Sequence, residues 1–121
     1  MQKGVVKMEK EFDYSCYTNP KGIKIFYRRE IPKSPRGIVI ICHGYGEHSG
    51  FYQEFSSFLN KNGYGVYAYD HRAHGRSEEE RGHIESFNSF VDDLEVVVRH
   101  CKQENPVSPL FISYLFFLLY V

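Results

Sequence analysis

Apolar and polar residues near the N-terminus of the chain follow the pattern of two β-strands. These are Glu11–Thr18 and Gly22–Arg28, and the segment Asn19–Gly22 between them has Pro at its second position and Gly at its fourth, as type I turns favour. We expect the second strand to be half-buried, because Ile23, Ile25 and Tyr27 alternate with Lys24, Phe26 and Arg28. The pattern predicts an antiparallel hairpin.

Three later stretches are almost continuously apolar. Ile38–Cys42 has no polar alternation and is rich in β-branched residues, Tyr64–Asp70 is short and mostly apolar, and the chain from Leu110 onward is almost wholly apolar. Such runs are typical of strands covered on both faces, as in parallel sheets with helices on either side. We therefore predict buried strands near residues 37–42, 64–69 and 109–115.

Apolar residues at helical spacing predict two helices between these strands. The first, near residues 50–61, has an apolar stripe of Phe51, Phe55, Phe58 and Leu59, and Gly63 is placed to end it in the left-handed conformation. The second, near residues 86–103, has a stripe of Phe87, Phe90, Val91, Leu94, Val98 and Cys101. Asp92 and Asp93 lie in its early turns, where the helix dipole favours acidic residues.

The predicted order is hairpin, strand, helix, strand, helix, strand. Strands that alternate with single helices build a doubly wound parallel sheet through right-handed crossovers. We therefore predict an α/β fold with an N-terminal hairpin and a mostly parallel sheet, with the helices on opposite faces. At 121 residues the chain is interpreted as a single domain.

Composition and charge narrow the class of protein. Lys plus Arg and Asp plus Glu number 15 each, so no bulk charge favours nucleic acid, and no nucleic-acid partner is predicted. The odd number of cysteines, Cys16, Cys42 and Cys101, and the apolar patterns around them indicate reduced core residues. No secretory signal is visible, so the predicted location is cytoplasmic, with a membrane-peripheral location as the alternative.

The segment His43-Gly44-Tyr45-Gly46 indicates a functional site. It follows the carboxyl end of a predicted parallel strand, which is where open α/β sheets bind their ligands and carry out their reactions. One interpretation is the oxyanion loop of an α/β-hydrolase, in which the Tyr45 N–H points at the oxyanion and the glycines allow the backbone to turn. A plainer interpretation is a glycine turn that only links strand to helix.

A dinucleotide site is a further interpretation of the same segment. Gly44 and Gly46 would form its turn, and Asp70 at the end of the next strand would hold a ribose. The third glycine is Gly50, which is one residue late for the pattern G-x-G-x-x-G, and His43 has no role in such a site.

Longer motifs extend the His-Gly segment. HGYGEHSGFY is followed by GYGVYAYDHRAHGRSEEERGHIESFNSFVDDLEVVV, so that HG-x-GEHS, YDHR-x-HG-x-S and RGH…F…D-D occur in order. On these motifs the chain resembles the monoacylglycerol lipase/lysophospholipase group of α/β-hydrolases from about Glu11 to Ile112. The resemblance implies a serine ester hydrolase that acts on a lipid or acyl-ester substrate without a cofactor. It assigns the Tyr45 N–H to half of the oxyanion hole and His43, Gly44 and Gly46 to the oxyanion loop.

The loop after the fourth strand contains several histidines. The resemblance implies that this loop is architectural and not catalytic; its motif residues are Asp70, His71, His74, Gly75 and Ser77. Zinc usually has three or more protein ligands, and no Cys or carboxylate is spaced to complete a site with the loop histidines, among them His83. No metal is predicted.

The chain departs from the family pattern after Ile112. The family continues from a strand like that at 109–112 into a G-x-S-x-G nucleophile elbow, a motif that this sequence does not contain. Ser113 is a poor substitute because no glycines flank it. We therefore interpret residues 1–121 as a partial, truncated α/β-hydrolase domain with a divergent tail at 113–121, inactive by itself. A misread intron boundary or reading frame after Ile112 would explain the abrupt change.

Two further expectations concern function and partners. A non-catalytic pseudoenzyme that binds lipid or protein is the alternative function. The apolar tail LFISYLFFLLYV is shorter than the about 20 residues that span a bilayer, so no transmembrane span is predicted. Its strand is expected to leave an open edge through which copies of the chain associate.

Overall fold

The computed structural model describes residues 13–43, 52–70, 87–114 and 117–120. In this part of the chain six strands form one mixed sheet, in the order β1-β2-β4-β3-β5-β6. The strands are β1 (Asp13–Thr18), β2 (Lys24–Glu30), β3 (Gly37–Cys42), β4 (Tyr64–Tyr69), β5 (Leu110–Tyr114) and β6 (Phe117–Tyr120), and the helices are α1 (Gln53–Lys61) and α2 (Phe87–Glu104).

The parallel centre of the sheet consists of β3, β4 and β5, as the apolar runs predict. β3 lies between the other two, with Ile40 opposite Tyr67 of β4 and Ile112 of β5. Every residue of β3 is buried. The antiparallel hairpin of β1 and β2 joins this centre through β4. The prediction of an α/β fold with an N-terminal hairpin and a mostly parallel sheet is confirmed.

Neighbouring residues of β3 face opposite layers of the core. On one face Ile38 and Ile40 share a buried cluster with Val97 of α2. On the other face Val39 belongs to a second cluster, against which Leu59 of α1 packs. Because side chains alternate along a strand, α1 and α2 lie on opposite faces of the sheet, as predicted.

The turn between β1 and β2 is held by the side chain of Asn19. Its carboxamide oxygen accepts hydrogen bonds from the backbone N–H groups of Lys21 and Ile23, both at 2.9 Å. The Gly22 N–H donates to the Asn19 carbonyl over 2.8 Å, which closes the predicted turn. Gly22 has a φ of 83°, in the left-handed region that a glycine adopts without a steric penalty.

The prediction that β2 is half-buried is wrong at Phe26, which is 7% exposed. β2 is an interior strand, because β4 pairs with it on the side away from β1. The Arg28 guanidinium also lies 5.8 Å from the centre of the Phe26 ring. An interior strand has less exposed surface than the separate hairpin that the alternating pattern suggested.

Helix α1 forms close to its predicted position, but only part of its predicted apolar stripe faces the sheet. Phe55 and Phe58 are 40% and 61% exposed, although the sequence pattern places both in the buried stripe. Ser56 is 2% exposed instead, and Leu59 packs against the buried residues of the sheet. Gly63 follows the helix with a φ of 91°, as predicted. The helical period and the packing of Leu59 are therefore as predicted, whereas the predicted burial of Phe55 and Phe58 is wrong, and Phe51 lies outside the described residues.

We expect Ser56→Leu to destabilise the fold much more than Phe58→Ser. A larger side chain at a position that is 2% exposed overpacks the contact with the sheet, so the free energy of unfolding should fall by about 1–3 kcal/mol. The Phe58 side chain is 61% exposed, so its removal should cost less than about 1 kcal/mol. Urea denaturation followed by circular dichroism compares the variants, and the reverse ranking would show that Phe58 faces the core.

The predicted stripe of helix α2 faces the core at Leu94, Val98 and Cys101, but not at Val91. Val91 belongs to the predicted stripe but is 46% exposed. The fully buried residues Asp93, Val97 and Cys101 follow one another at intervals of four, along one side of the helix. Leu94 of the predicted stripe is partly buried against the same cluster. An acidic residue therefore lies on the buried side of α2.

The apolar tail forms a second hairpin that the sequence analysis does not predict. β6 pairs antiparallel with β5, with Phe117 opposite Tyr114 and Tyr120 opposite Phe111. Among the strands that the structure describes, β5 therefore has a neighbour on each side, and β6 is next to β5 alone.

The three cysteines are free thiols. Cys42 and Cys101 are buried, as expected of core residues, but Cys16 is exposed, so the prediction for Cys16 is wrong. Cys16 lies on β1, where successive side chains point to opposite faces. Its neighbour Tyr17 is only 5% exposed, so Tyr17 is the residue that faces the core.

Candidate functional site

Three parallel strands end together at the edge of the sheet where the sequence predicts a functional site. Cys42, the last residue of β3, is opposite Tyr69 of β4 and Tyr114 of β5. His43 and Asp70 directly follow β3 and β4, so they leave the sheet side by side. The carboxyl edge of a parallel sheet is where open α/β folds bind their ligands.

His43 is completely buried at this edge. Its exposed fraction is 0%, and it interacts with another group of the chain. A buried polar ring needs partners within the protein, so His43 belongs to the interior at the point where the chain leaves β3. Gly44, Tyr45 and Gly46 lie outside the described residues, so the assignment of the Tyr45 N–H to an oxyanion hole stays a prediction.

Asp70 is also buried, which bears on the dinucleotide interpretation. It is 1% exposed, it has an interaction within the chain, and its N–H donates to the Phe26 carbonyl over 2.9 Å. An acid that holds a ribose has to present its carboxylate to the ligand. The burial of Asp70 therefore argues against that interpretation. The other motif residues of the loop, His71, His74, Gly75, Ser77 and His83, lie outside the described residues.

A thiol and a phenol contact each other beneath this edge. Cys42 Sγ lies 3.5 Å from the Tyr69 hydroxyl oxygen. Burial raises the pKa of the Cys42 thiol to about 11, although the hydrogen bond with Tyr69 partly offsets the effect. The thiol is therefore protonated at neutral pH, and a protonated thiol is a weak nucleophile. The pair fills the core beneath the edge and does not supply a nucleophile.

An amide–carboxylate pair lies on the same side of the sheet. Asn19 Nδ2 donates to Asp93 Oδ1 over 3.1 Å, and the two residues are 5% and 0% exposed. Burial is the largest cause that raises the pKa of Tyr69, and Cys42 and the charge of Asp93 raise it further. The sequence alone does not indicate this pair, because an acidic residue in the early turns of a helix is also what the helix dipole favours. One signal was available in the sequence. Asp93 lies four residues before the apolar Val97, a spacing that places both residues on the same side of a helix.

Ser113 lies in the middle of strand β5 and not in a turn. It is opposite Ile41 of β3 and Leu118 of β6. A nucleophile elbow is a sharp turn from a strand into a helix that exposes its serine. Ser113 therefore lacks the backbone geometry of such a nucleophile.

Two features are absent from the described part of the chain. Within residues 13–43, 52–70, 87–114 and 117–120, no group of three or more His, Cys, Asp or Glu side chains could hold a metal ion. Neither helix in these ranges is long and apolar enough to cross a membrane.

Comparisons with known proteins match this arrangement to hydrolases. The family model Hydrolase_4 (serine aminopeptidase, S33) matches residues 33–113. The chain is 37% identical over 92 residues to the monoacylglycerol lipase of Mycolicibacterium smegmatis and 36% identical over 101 residues to the monoglyceride lipase of Rattus norvegicus, and these alignments cover 75% and 83% of the chain. A solved structure of a soluble variant of monoglyceride lipase from Saccharomyces cerevisiae is similar over 93% of the chain, with a TM-score of 0.73 and 26% identity.

The alignments cover a minor part of each relative. The chain spans about a third of the length of the curated relatives that it matches, 33% for both lipases, and 37% of the yeast structure. The segment that matches the family model contains β3, His43 and the carboxyl edge described above. The family match favours the hydrolase interpretation of this edge over the dinucleotide interpretation. The chain belongs to the Hydrolase_4 family of α/β-hydrolases, in the group of the monoacylglycerol lipases.

Proposed function

We propose that the chain forms the oxyanion-loop part of a serine ester hydrolase that acts on monoacylglycerol or lysophospholipid. The position of His43 carries this proposal, because His43 follows the fully buried β3 at the carboxyl edge, inside the segment that matches the family. In such hydrolases a backbone N–H after the third strand stabilises the negative oxygen of the transition state. The Tyr45 N–H has this role in the proposal, and Gly44 and Gly46 give its backbone the freedom to turn toward the oxygen.

The substrate class in this proposal comes from the relatives, which are named as monoacylglycerol or monoglyceride lipases. A lysophospholipid also has a single acyl chain in an ester bond to a glycerol, so the same oxyanion donor serves both substrates. The location in this proposal is the cytoplasm, where thiols stay reduced, and the three free cysteines support it.

The same proposal includes the inactivity of these 121 residues alone. Covalent acyl transfer needs a nucleophile with an adjacent base as well as an oxyanion hole. The sequence contains no G-x-S-x-G, and Ser113 is in an extended strand. One oxyanion donor without a nucleophile does not turn over an ester.

A pair of assays tests both parts of this proposal. The purified chain should hydrolyse a short-chain aryl ester no faster than buffer and should not react with a fluorophosphonate probe, with the rat enzyme as positive control. A chimera in which residues 1–112 replace the matching segment of the rat enzyme should hydrolyse monoacylglycerol. In the chimera, Tyr45→Pro removes the N–H and should lower kcat by about 10²–10³-fold, whereas Tyr45→Phe keeps it and should not.

Three outcomes would contradict the proposal. The first is labelling of the isolated chain that disappears in Ser113→Ala. The second is a folded chimera without activity. The third is a chimera in which Tyr45→Pro retains full activity.

A non-catalytic protein that binds lipid or protein is the second candidate, and the β5–β6 hairpin favours it. With β6 in place, the parallel centre does not end on an unpaired strand. A β-hairpin at the place where a hydrolase has its nucleophile elbow suits a protein that binds without turnover. Binding of a monoacylglycerol ether analogue by the isolated chain, together with the absence of hydrolysis, would distinguish this candidate.

A further inference from the structure

A group of stacked tyrosine rings packs beneath helix α2, outside the candidate site. The centroids of the Tyr17 and Tyr27 rings are 4.3 Å apart, and the Tyr67 ring lies 6.0 Å from the Tyr27 ring. All three residues are buried, and they belong to the same core cluster. The partner of each hydroxyl decides what a buried phenol can do chemically, because a proton that leaves the oxygen needs an acceptor nearby.

The hydroxyl of Tyr67 donates to a carboxylate. The distance from the phenol oxygen to Glu104 Oε1 is 2.5 Å, at the short end of the range for a hydroxyl bonded to a charged oxygen. Asn105 Nδ2 donates to the same phenol oxygen over 3.0 Å, and Arg29 Nη1 donates to Glu104 Oε1 over 3.3 Å. These contacts hold the phenol and the carboxylate in place, so the proton has only to cross an existing hydrogen bond.

Tyr17 belongs to the same group of rings but has a different environment. Among the residues that the structure describes, no group forms a hydrogen bond with the buried Tyr17 hydroxyl. Burial raises the pKa of the Cys101 thiol and a smaller effect of Tyr17 lowers it, so this thiol stays protonated at neutral pH and is not a base. A phenol that loses an electron becomes a strong acid and has to lose its proton as well. Tyr67 therefore loses an electron more readily than Tyr17.

We propose that Tyr67 is a one-electron oxidation site whose proton passes to Glu104. The proposal is independent of the hydrolase assignment. A one-electron oxidant, such as a peroxyl radical, takes one electron from the phenol. The O–H bond of Tyr67 breaks, the proton forms an O–H bond with Glu104 Oε1, and a neutral tyrosyl radical remains. A one-electron reductant such as a thiolate returns the electron, and the proton moves back to Tyr67.

The surroundings of Tyr67 favour a reversible reaction. The side chains of Arg29 and Glu104 are 30% and 36% exposed, so an oxidant in solution comes close to the phenol oxygen. The Tyr67 residue itself is 1% exposed, which keeps its ring from contact with a tyrosyl radical of another molecule. The radical therefore persists until it is reduced, whereas an exposed thiol such as Cys16 can be oxidised irreversibly to a sulfonic acid.

Flash photolysis with a ruthenium photo-oxidant and persulfate tests the proposal. The full chain would be used with the substitution Cys16→Ser, because the exposed thiol would otherwise consume the oxidant. Electron paramagnetic resonance measures the yield of tyrosyl radical, and transient absorbance measures its rate of formation. Because the proton moves in the same step as the electron, radical formation should be slower in D2O than in H2O.

Three matched variants of this parent chain identify the residues. Tyr67→Phe and Tyr17→Phe each remove one buried hydroxyl and keep the ring, and circular dichroism verifies that both are folded. Tyr67→Phe should lose most of the radical yield, whereas Tyr17→Phe should keep it. Glu104→Gln keeps the size of the side chain and an oxygen that accepts a hydrogen bond, but it does not take up the proton. Radical formation in Glu104→Gln should therefore be slower by about 10²-fold.

Four outcomes would overturn the proposal. They are a full radical yield in Tyr67→Phe, equal losses in Tyr67→Phe and Tyr17→Phe, an unchanged rate in Glu104→Gln, and equal rates in H2O and D2O for the parent chain. The last comparison needs no substitution at the site, so it decides the question even where a variant does not fold.

Discussion

Between about pH 9 and pH 12, the folded chain is expected to lose its stability steeply. Five buried groups carry this expectation, and burial is the largest cause of the raised pKa in each of them: Tyr17, Tyr67, Tyr69, Cys42 and Cys101. Tyr67 is held further in its neutral form by a hydrogen bond from its hydroxyl to Glu104. These groups form the core beneath α2, so the fold buries them as neutral groups.

The sign of the pH dependence follows from the raised pKa values. In the unfolded chain the thiols and phenols ionise near their ordinary pKa values of 9.0 and 10.0. In the folded chain the pKa of Cys42 is about 11, and the pKa values of the other four groups are also raised. Above pH 9 to 10 the unfolded state therefore binds fewer protons, and the free energy of unfolding falls by about 1.4 kcal/mol per pH unit for each group.

The combined effect is large compared with the stability of a domain. Five such groups together approach a slope of about 7 kcal/mol per pH unit, and a typical domain is stable by about 5–15 kcal/mol. Stability should therefore be near its full value at neutral pH and disappear about one to two pH units above the ordinary tyrosine pKa.

Urea denaturation at a series of pH values measures this slope, and phenolate absorbance reports which tyrosines ionise before unfolding. Tyr67→Phe is the matched variant, because it removes one of the groups. It should reduce the alkaline slope by about 1.4 kcal/mol per pH unit, and it should lower stability at neutral pH by about 1–2 kcal/mol through the lost hydrogen bonds with Glu104 and Asn105. Stability that does not change up to pH 11 would contradict the burial of these groups in neutral form.

Asn19→Ala should be the most destabilising single truncation of a polar side chain in the described structure. It removes the acceptor for two backbone N–H groups, those of Lys21 and Ile23, and the donor to the buried Asp93 carboxylate. A neutral hydrogen bond contributes about 1 kcal/mol and one to a charged group about 1.5–3 kcal/mol, so the expected loss of the three bonds is about 3.5–5 kcal/mol.

Two comparison variants separate the contributions of Asn19. Asn19→Asp keeps the acceptor for the turn but places a carboxylate against Asp93, so it should be at least as destabilising at neutral pH and recover partly in acid. Asn62→Ala is the exposed control, because Asn62 Nδ2 donates to the Phe58 carbonyl at the surface, and it should cost less than about 1 kcal/mol. Equal effects for Asn19→Ala and Asn62→Ala would show that the contact with Asp93 contributes little.

The sequence predicts the strands and helices well because their period is a local property. It predicts the side of each helix that faces the sheet only in part, because small and polar residues also occupy the buried sides. Ser56 on α1 and Asp93 on α2 are 2% and 0% exposed, whereas Phe58 and Val91 are exposed. A small serine leaves α1 room to lie against the sheet, and Asp93 is accepted because Asn19 supplies a hydrogen-bond donor.

The sequence predicts only that part of the candidate site whose position follows from the order of the strands. Apolar runs and alternation place His43 and Asp70 at the carboxyl edge, and the structure brings them side by side there. The contact between Asn19 and Asp93 joins residues 74 positions apart, and no local pattern encodes it. The hairpin of β5 and β6 was missed because residues 115 and 116, between the strands, are Leu and Phe and not the Asn or Gly that typically mark a two-residue turn.

The central position of β3 also determines when this chain can finish folding during synthesis. One neighbour of β3 starts at Tyr64, but the other starts at Leu110, which is 72 residues beyond its partner Ile38. At roughly 5–20 residues per second, a ribosome needs about 4–14 s to add that length. During this interval one side of a wholly apolar strand has no partner. An unpaired apolar strand that persists for several seconds during synthesis is the kind of segment that chaperones bind.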